Sequence, residues 1–119
     1  MDVRVKPIYL LADSQPLFWR NKGTRFLSGV RDYVEAETPK AAYIGASNGD
    51  NPEFYSIFRA AMEQVHITEC RMIPSAPSQD DRSFLLTADI VLLSGGDVEL
   101  GWNVMKENGL SDCVVSRFN

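Results

Sequence analysis

The chain has 119 residues, with 12 Lys and Arg against 16 Asp and Glu, a formal net charge of −4, and 45% hydrophobic residues. This is ordinary globular composition, which excludes a disordered or collagen-like chain. The charge is mild and dispersed, without the basic clusters that bind nucleic acid or anionic membranes, and no apolar run reaches the ~20 residues of a membrane span.

The start, Met1-Asp2-Val3-Arg4, has no long apolar region behind it and does not read as a signal peptide, so the expected location is the cytoplasm. From there, turn signals alternate with two kinds of apolar pattern. Pro7 to Ala12 is a continuous apolar run stopped by Asp13-Ser14-Gln15-Pro16. Phe26, Leu27, Val30, Tyr33 and Val34 then mark a helix. Ala41 to Ile44 is a second strand, stopped by Gly45. Short continuous runs of this kind suit strands covered on both faces.

Asn51 and Pro52 read as the N-cap and first residue of a helix. Its apolar residues Phe54, Ile57, Phe58, Ala61, Met62 and Val65 fall on one face. Thr68 to Ile73 is the third strand, ending at Pro74. Ser78 and Asp81 form the pattern of a capping box for a short helix through Leu86. Ala88 to Leu93 is the strongest strand and ends in Ser94-Gly95-Gly96. Val98, Trp102 and Met105 mark a last helix, closed by Gly109 with Leu110 folding back on it. Cys113-Val114-Val115 is too short to assign as a strand.

Strand followed by helix thus recurs along the chain. The expected fold is α/β: an open, mostly parallel sheet with helices on both faces, a three-layer arrangement of flavodoxin-like or glutamine amidotransferase-like type. Residues 1–119 read as a single domain without repeats or linkers.

In such sheets ligands bind where the carboxyl ends of strands open into loops. Those loops hold Asp13, then Gly45 to Asp50, Pro74 to Ser78, and Ser94 to Asp97. Gly45-Ala46-Ser47-Asn48-Gly49 has the letter pattern of a serine nucleophile elbow, but an elbow needs its helix to start almost at once. Here the helix start falls at Asn51-Pro52, and His66, the only histidine, sits where a helix passes into a strand. Ser47 therefore reads as an ordinary loop serine and His66 as a surface residue at a helix end. Trp19 and Trp102 read as packing residues. Asp80 and Asp81 read as helix-start charge, and turn formation explains Asp13 and Asp50.

Cys70, Cys113 and His66 are too few and too scattered for a zinc centre, so no metal and no cofactor is expected and both thiols are read as reduced. Gly95 and Gly96 allow two readings. Their N–H groups, close to a helix start, can receive a developing negative charge. Alternatively they form a plain turn with Asp97 as the N-cap.

The phrase Ala88 to Asp97, followed by Gly101-Trp102 and Asn108-Gly109-Leu110, resembles the middle of the dipeptidase E / cyanophycinase serine peptidases, within the class I glutamine amidotransferase-like superfamily. Pro7 to Ala12 and Ala41 to Ser47 are similar to that family's first two strands. The resemblance implies hydrolysis of small acidic, aspartyl peptides or amides by a Ser nucleophile and a His base, without metal. It assigns Gly95 and Gly96 as backbone oxyanion donors and sets Asp97 beside the cleft. Ser47, Asn48 and Asp13 are expected to line the same cleft and contact a small-molecule or dipeptide substrate.

The family's Gly-x-Ser-Ala-Gly elbow follows the helix that ends here near Leu110, and its histidine comes later still. Residues 1–119 therefore resemble the amino-terminal half of such a domain, expected to be inactive alone. The alternative expectation is a non-catalytic binding or assembly module of the same fold, pairing an open sheet edge in a homo-oligomer. A flavodoxin-like nucleotide domain is a weaker third reading, because no Gly-rich phosphate loop follows the first strand.

Overall fold

The computed structural model describes residues 20–21, 24–32, 34 and 37–118. The expected strand Pro7 to Ala12, together with Asp13, Trp19 and Tyr33, lies outside the described residues. The described part opens with a small antiparallel hairpin, β1 (Arg20–Asn21) and β2 (Thr24–Arg25), which runs into α1 (Phe26–Asp32).

The main sheet is built from β3 (Lys40–Ile44), β4 (Glu69–Ile73) and β5 (Ile90–Leu93), in the order β4-β3-β5. Both pairings are parallel: Ala41 stands opposite Cys70 on one side and Ile90 on the other. β3, the shared central strand, is the most completely buried, as its continuous apolar run requires. Each end of its run has a different partner. At the start Asp89 N–H donates to Lys40 C=O at 2.8 Å and Lys40 N–H donates to the Asp89 carboxylate Oδ2 at 2.9 Å, and at the end Ser94 N–H continues the ladder onto Ile44 C=O at 3.0 Å.

α2 (Pro52–Glu63) connects β3 to β4, and α3 (Gln79–Leu86) carries the chain back past β3 to β5. The two crossovers move in opposite directions across the sheet. A common right-handed sense therefore puts their helices on opposite faces. The packing agrees. Phe58, Ala61 and Met62 of α2, with Val65 just beyond it, bury against Ala41 and Tyr43. Leu85 of α3, Met105 of α4 (Val98–Glu107) and Leu110 of α5 (Leu110–Phe118) bury against Ala42 and Ile44 on the reverse face. The molecule is a three-layer α/β/α arrangement around a parallel sheet, as the alternating pattern predicts.

Local chemistry sets the helix boundaries. Asn51 Oδ1 accepts from Glu53 N–H at 3.0 Å, with Pro52 as the first helical residue of α2. At α3 both halves of the capping box form: Ser78 Oγ accepts from Asp81 N–H at 3.1 Å and Asp81 Oδ2 accepts from Ser78 N–H at 2.8 Å. α2 ends with His66 at φ 62°, its N–H on Glu63 C=O and Ile67 N–H on Met62 C=O. That is a Schellman closure with histidine where glycine is usual, and the buried contact of Ile67 with Met62 completes it.

One unassigned segment is placed and two expectations need correction. Cys113-Val114-Val115 belongs to a helix, α5, because Gly109 at φ 70° reverses the chain and drops Leu110 into the core. Leu110, Cys113 and Val114 then face inward at helical spacing while Val115 is exposed. Trp102 is 55% exposed, with Lys106 Nζ 6.0 Å from its ring, and so is not a packing residue. The apolar stripe of α2 is buried only from Phe58 onward, leaving Phe54 and Ile57 exposed, and Leu93 at the end of β5 is exposed as well. No helix among the described residues is long and apolar enough to cross a membrane.

Candidate functional site

β3 and β5 are neighbours, yet the helices that follow them, α2 and α4, lie on opposite faces. Their outgoing loops must part company at the carboxyl end of the sheet, which is where doubly wound sheets open a ligand crevice. Among the described strands the order is β4-β3-β5, so the direction of the connections reverses between β3 and β5, the place where such sheets open a crevice. Ser47, Asn48, Gly95, Gly96 and Asp97 all belong to the two loops that flank this place.

The first loop is a tight turn. Ala46–Asn48 form a single 3-10 turn after β3, and both Asn48 N–H and Asp50 N–H return to Gly45 C=O, at 3.0 and 2.9 Å. The Asn48 carboxamide is used at both ends: Nδ2 donates to Tyr43 Oη at 2.9 Å and Oδ1 accepts from Asn51 N–H at 3.1 Å. Tyr43 is buried in the α2-side core, so Asn48 ties the loop to the core and to the start of α2. α2 starts at Pro52, well past Ser47, and no strained elbow presents the serine.

Ser47 meets α4 instead. Its C=O accepts from Asp97 N–H at 2.8 Å. Gly96, at φ 139°, lies so close that a Cβ there would overlap the Ser47 carbonyl, and a Cβ at Gly101 would overlap the Ser47 side chain. Two glycines thus form the notch into which the Ser47 turn fits, and both must lack a side chain for the loops to meet. In the sequence Gly101 entered only as part of the family resemblance, although a glycine inside a helix usually has a packing reason.

The second loop carries the paired glycines. Among the described residues, neither Gly95 N–H nor Gly96 N–H has an acceptor, and both residues are exposed. Asp97 Oδ1 accepts from Leu100 N–H at 3.0 Å and caps α4. The N-cap reading of Asp97 is therefore realised, and the glycine amides beside it stay free to donate.

Asp50 follows the Ser47 turn at φ 58°. Its Oδ2 accepts from Ser75 N–H at 2.9 Å, linking the loop after β3 to the loop after β4, while Oδ1 is buried and unpartnered. Ser94 Oγ, beyond β5, is also buried and unpartnered. Sequence reasoning explained Asp50 as a turn former and gave Ser94 no role.

The remaining chemistry-bearing groups stand elsewhere. His66 is exposed at the end of α2. Asp81 caps α3 and receives Arg71 Nε at 2.8 Å. Burial works against its charge, but the hydrogen bonds from Ser78 and Arg71 outweigh it and hold the carboxyl below its ordinary range. Burial pushes the Cys70 thiol above its ordinary range, with Arg59 opposing and Glu63 adding to the effect, so the reactive thiolate is scarce. Cys70 packs toward the α2 face and Cys113 toward the other. Among the described residues no three His, Cys, Asp or Glu side chains come together as a metal site would require. Asp13, expected at the same cleft, lies outside the described residues.

Fold and loops together define a small α/β protein with a parallel sheet in the doubly wound order. Comparisons with protein-family models, with curated proteins and with solved structures find no match to the chain.

Proposed function

We propose that this chain forms the oxyanion side of a serine-type hydrolase of the glutamine amidotransferase-like kind, acting on small acidic, aspartyl peptides or amides. The reading rests on one observation: two adjacent backbone N–H groups, of Gly95 and Gly96, without acceptors among the described residues at the carboxyl end of β5. When a serine attacks an amide carbonyl, the carbonyl oxygen gains a full negative charge. Amides fixed in advance toward that oxygen stabilise the tetrahedral species without reorganising, and one such donor is worth ~3–4 kcal/mol of barrier. Gly96 is held by its close fit on Ser47, and Asp97 N–H by the Ser47 carbonyl, so the donors stand on a fixed base.

In this proposal the nucleophile and its histidine come from residues outside these 119, since Ser47 is packed on Gly101 and His66 stands at a helix end. The chain by itself then lacks turnover, because losing a nucleophile costs several orders of magnitude in rate. The test is to extend the coding sequence downstream, express the intact protein, and expose it to a serine-directed fluorophosphonate and to aspartyl dipeptides. Labelling of a serine outside 1–119 with dipeptide cleavage is the expected result. An intact protein that neither labels nor cleaves overturns the proposal.

A second reading is a non-catalytic binding or assembly module. It is supported by exposed apolar side chains at Leu93, Leu100 and Trp102 beside the β5 end of the sheet. A homo-oligomer in solution mass measurements, dispersed by charged substitutions at these positions, is its expected signature.

A further inference from the structure

Among the described residues, two buried side-chain polar atoms have no hydrogen-bond partner, Asp50 Oδ1 and Ser94 Oγ. They share one end of the molecule. Asp50 N–H donates to Gly45 C=O and Ser94 N–H to Ile44 C=O, so both backbones hang on consecutive carbonyls at the carboxyl end of β3. Unpaired buried polar atoms are costly, and more so for a charged group, so their coincidence at the end of the sheet that binds ligands calls for a partner.

We propose that the Asp50 carboxylate accepts a hydrogen bond from a primary ammonium group of a bound ligand. On the hydrolase reading above, on which this identification rests, the ammonium is the free amino terminus of a small acidic peptide. Asp50 is fixed for the task. Its backbone is held at φ 58° by the bond to Gly45, and Oδ2 is engaged by Ser75 N–H at 2.9 Å. Rotating the carboxylate merely exchanges its oxygens and leaves the same position unpaired. No Lys, Arg or His among the described residues pairs with it. The missing complement is a donor, preferably cationic. A phosphate or carboxylate would be repelled, and a hard divalent cation needs six or more oxygen ligands, whereas no cluster of acidic groups surrounds Asp50. A primary ammonium is satisfied by one strong acceptor and remaining weaker ones.

The experiment titrates the 119-residue chain, observed by amide NMR, with an aspartyl dipeptide and with the same dipeptide N-acetylated. Asp50→Asn is the matching variant: its amide oxygen keeps the Ser75 bond, while its NH2 places a donor where an acceptor stood. The expected result is saturable binding of the free dipeptide. N-acetylation or Asp50→Asn each weakens it at least about tenfold, and the two changes together cost no more than either alone. Equal binding of both dipeptides, or binding indifferent to Asp50→Asn, overturns this proposal and leaves the hydrolase reading standing. Binding of neither dipeptide to a folded chain likewise overturns this proposal, while the hydrolase reading is decided separately by labelling and cleavage with the intact protein. The comparison of the two dipeptides needs no variant, so it decides the matter even if Asp50→Asn disturbs folding.

Discussion

Two glycines within helices separate backbone propensity from packing. Gly29 in α1 has nothing within 4 Å of where a Cβ would stand, whereas a Cβ at Gly101 in α4 would overlap Ser47. Intrinsic propensity favours alanine over glycine inside a helix by up to ~1 kcal/mol. Gly29→Ala should therefore raise the urea midpoint by that order, and Gly101→Ala should lower stability by about 1–3 kcal/mol through overpacking of the Ser47 turn. Equal gains from both would show that the turn does not rest on α4. His66 poses the reverse question. At φ 62° a histidine carries a left-handed cost that glycine lacks, partly offset by the extra freedom glycine has when unfolded. His66→Gly should stabilise by roughly 0.5–1 kcal/mol in the same denaturation measurement.

At the level of elements, α3 depends on charge. Asp81 is both the third residue of its capping box and the partner of Arg71 on β4. Its folded pKa is held low despite burial, so its contribution is fully present above the unfolded carboxylate range near ~4 and is lost as pH falls through the lowered folded value. Asp81→Ala should cost about 1–2 kcal/mol at pH 7. The gap to the parent should close progressively below pH ~4, and thermal melts across that range would reveal a constant gap if the cap were not ionised. This cap was legible in the sequence because Ser78 and Asp81 act over one turn of chain, as do Asn51-Pro52 and Asp97. β3 and β5 were legible through continuous apolar runs and β4 through a more alternating one, β4 and β5 starting a residue or two later than the runs themselves, whereas the two-residue strands β1 and β2 carry no such pattern. α5 was not, because Val114 and Val115 favour strands and its helical spacing rests on only Leu110, Cys113 and Val114. Nor was the Ser47–Gly101 contact, or the Asp50–Ser75 bond. Both join distant segments, and nothing in local spacing announces which loop a turn will lean upon.

At the scale of the molecule, the described residues form two cores that share one strand. Ala41 and Tyr43 of β3 belong to the α2-side cluster, and Ala42 and Ile44 to the cluster under α3, α4 and α5. Because alternate residues of a strand face opposite ways, neither cluster can dissolve without releasing one face of β3 and the parallel ladders on both sides of it. That predicts one cooperative transition rather than two. Phe58 and Leu110 are the probes, each fully buried in a different cluster. Phe58→Ala should cost about 3–5 kcal/mol and Leu110→Ala about 2–5 kcal/mol, a large share of the ~5–15 kcal/mol of a typical domain. In urea, each single variant should shift the midpoint with an unchanged slope, and tryptophan fluorescence should coincide with far-ultraviolet circular dichroism. If α4 and α5 instead formed a separately melting layer, Leu110→Ala would lower the slope and part the two signals, while Phe58→Ala would not. The outcome bears on function. Gly96 and Asp97 are seated on the Ser47 turn, and that turn follows directly from β3. A single transition therefore means that the amides of the carboxyl-end loops stay in place for as long as the sheet does.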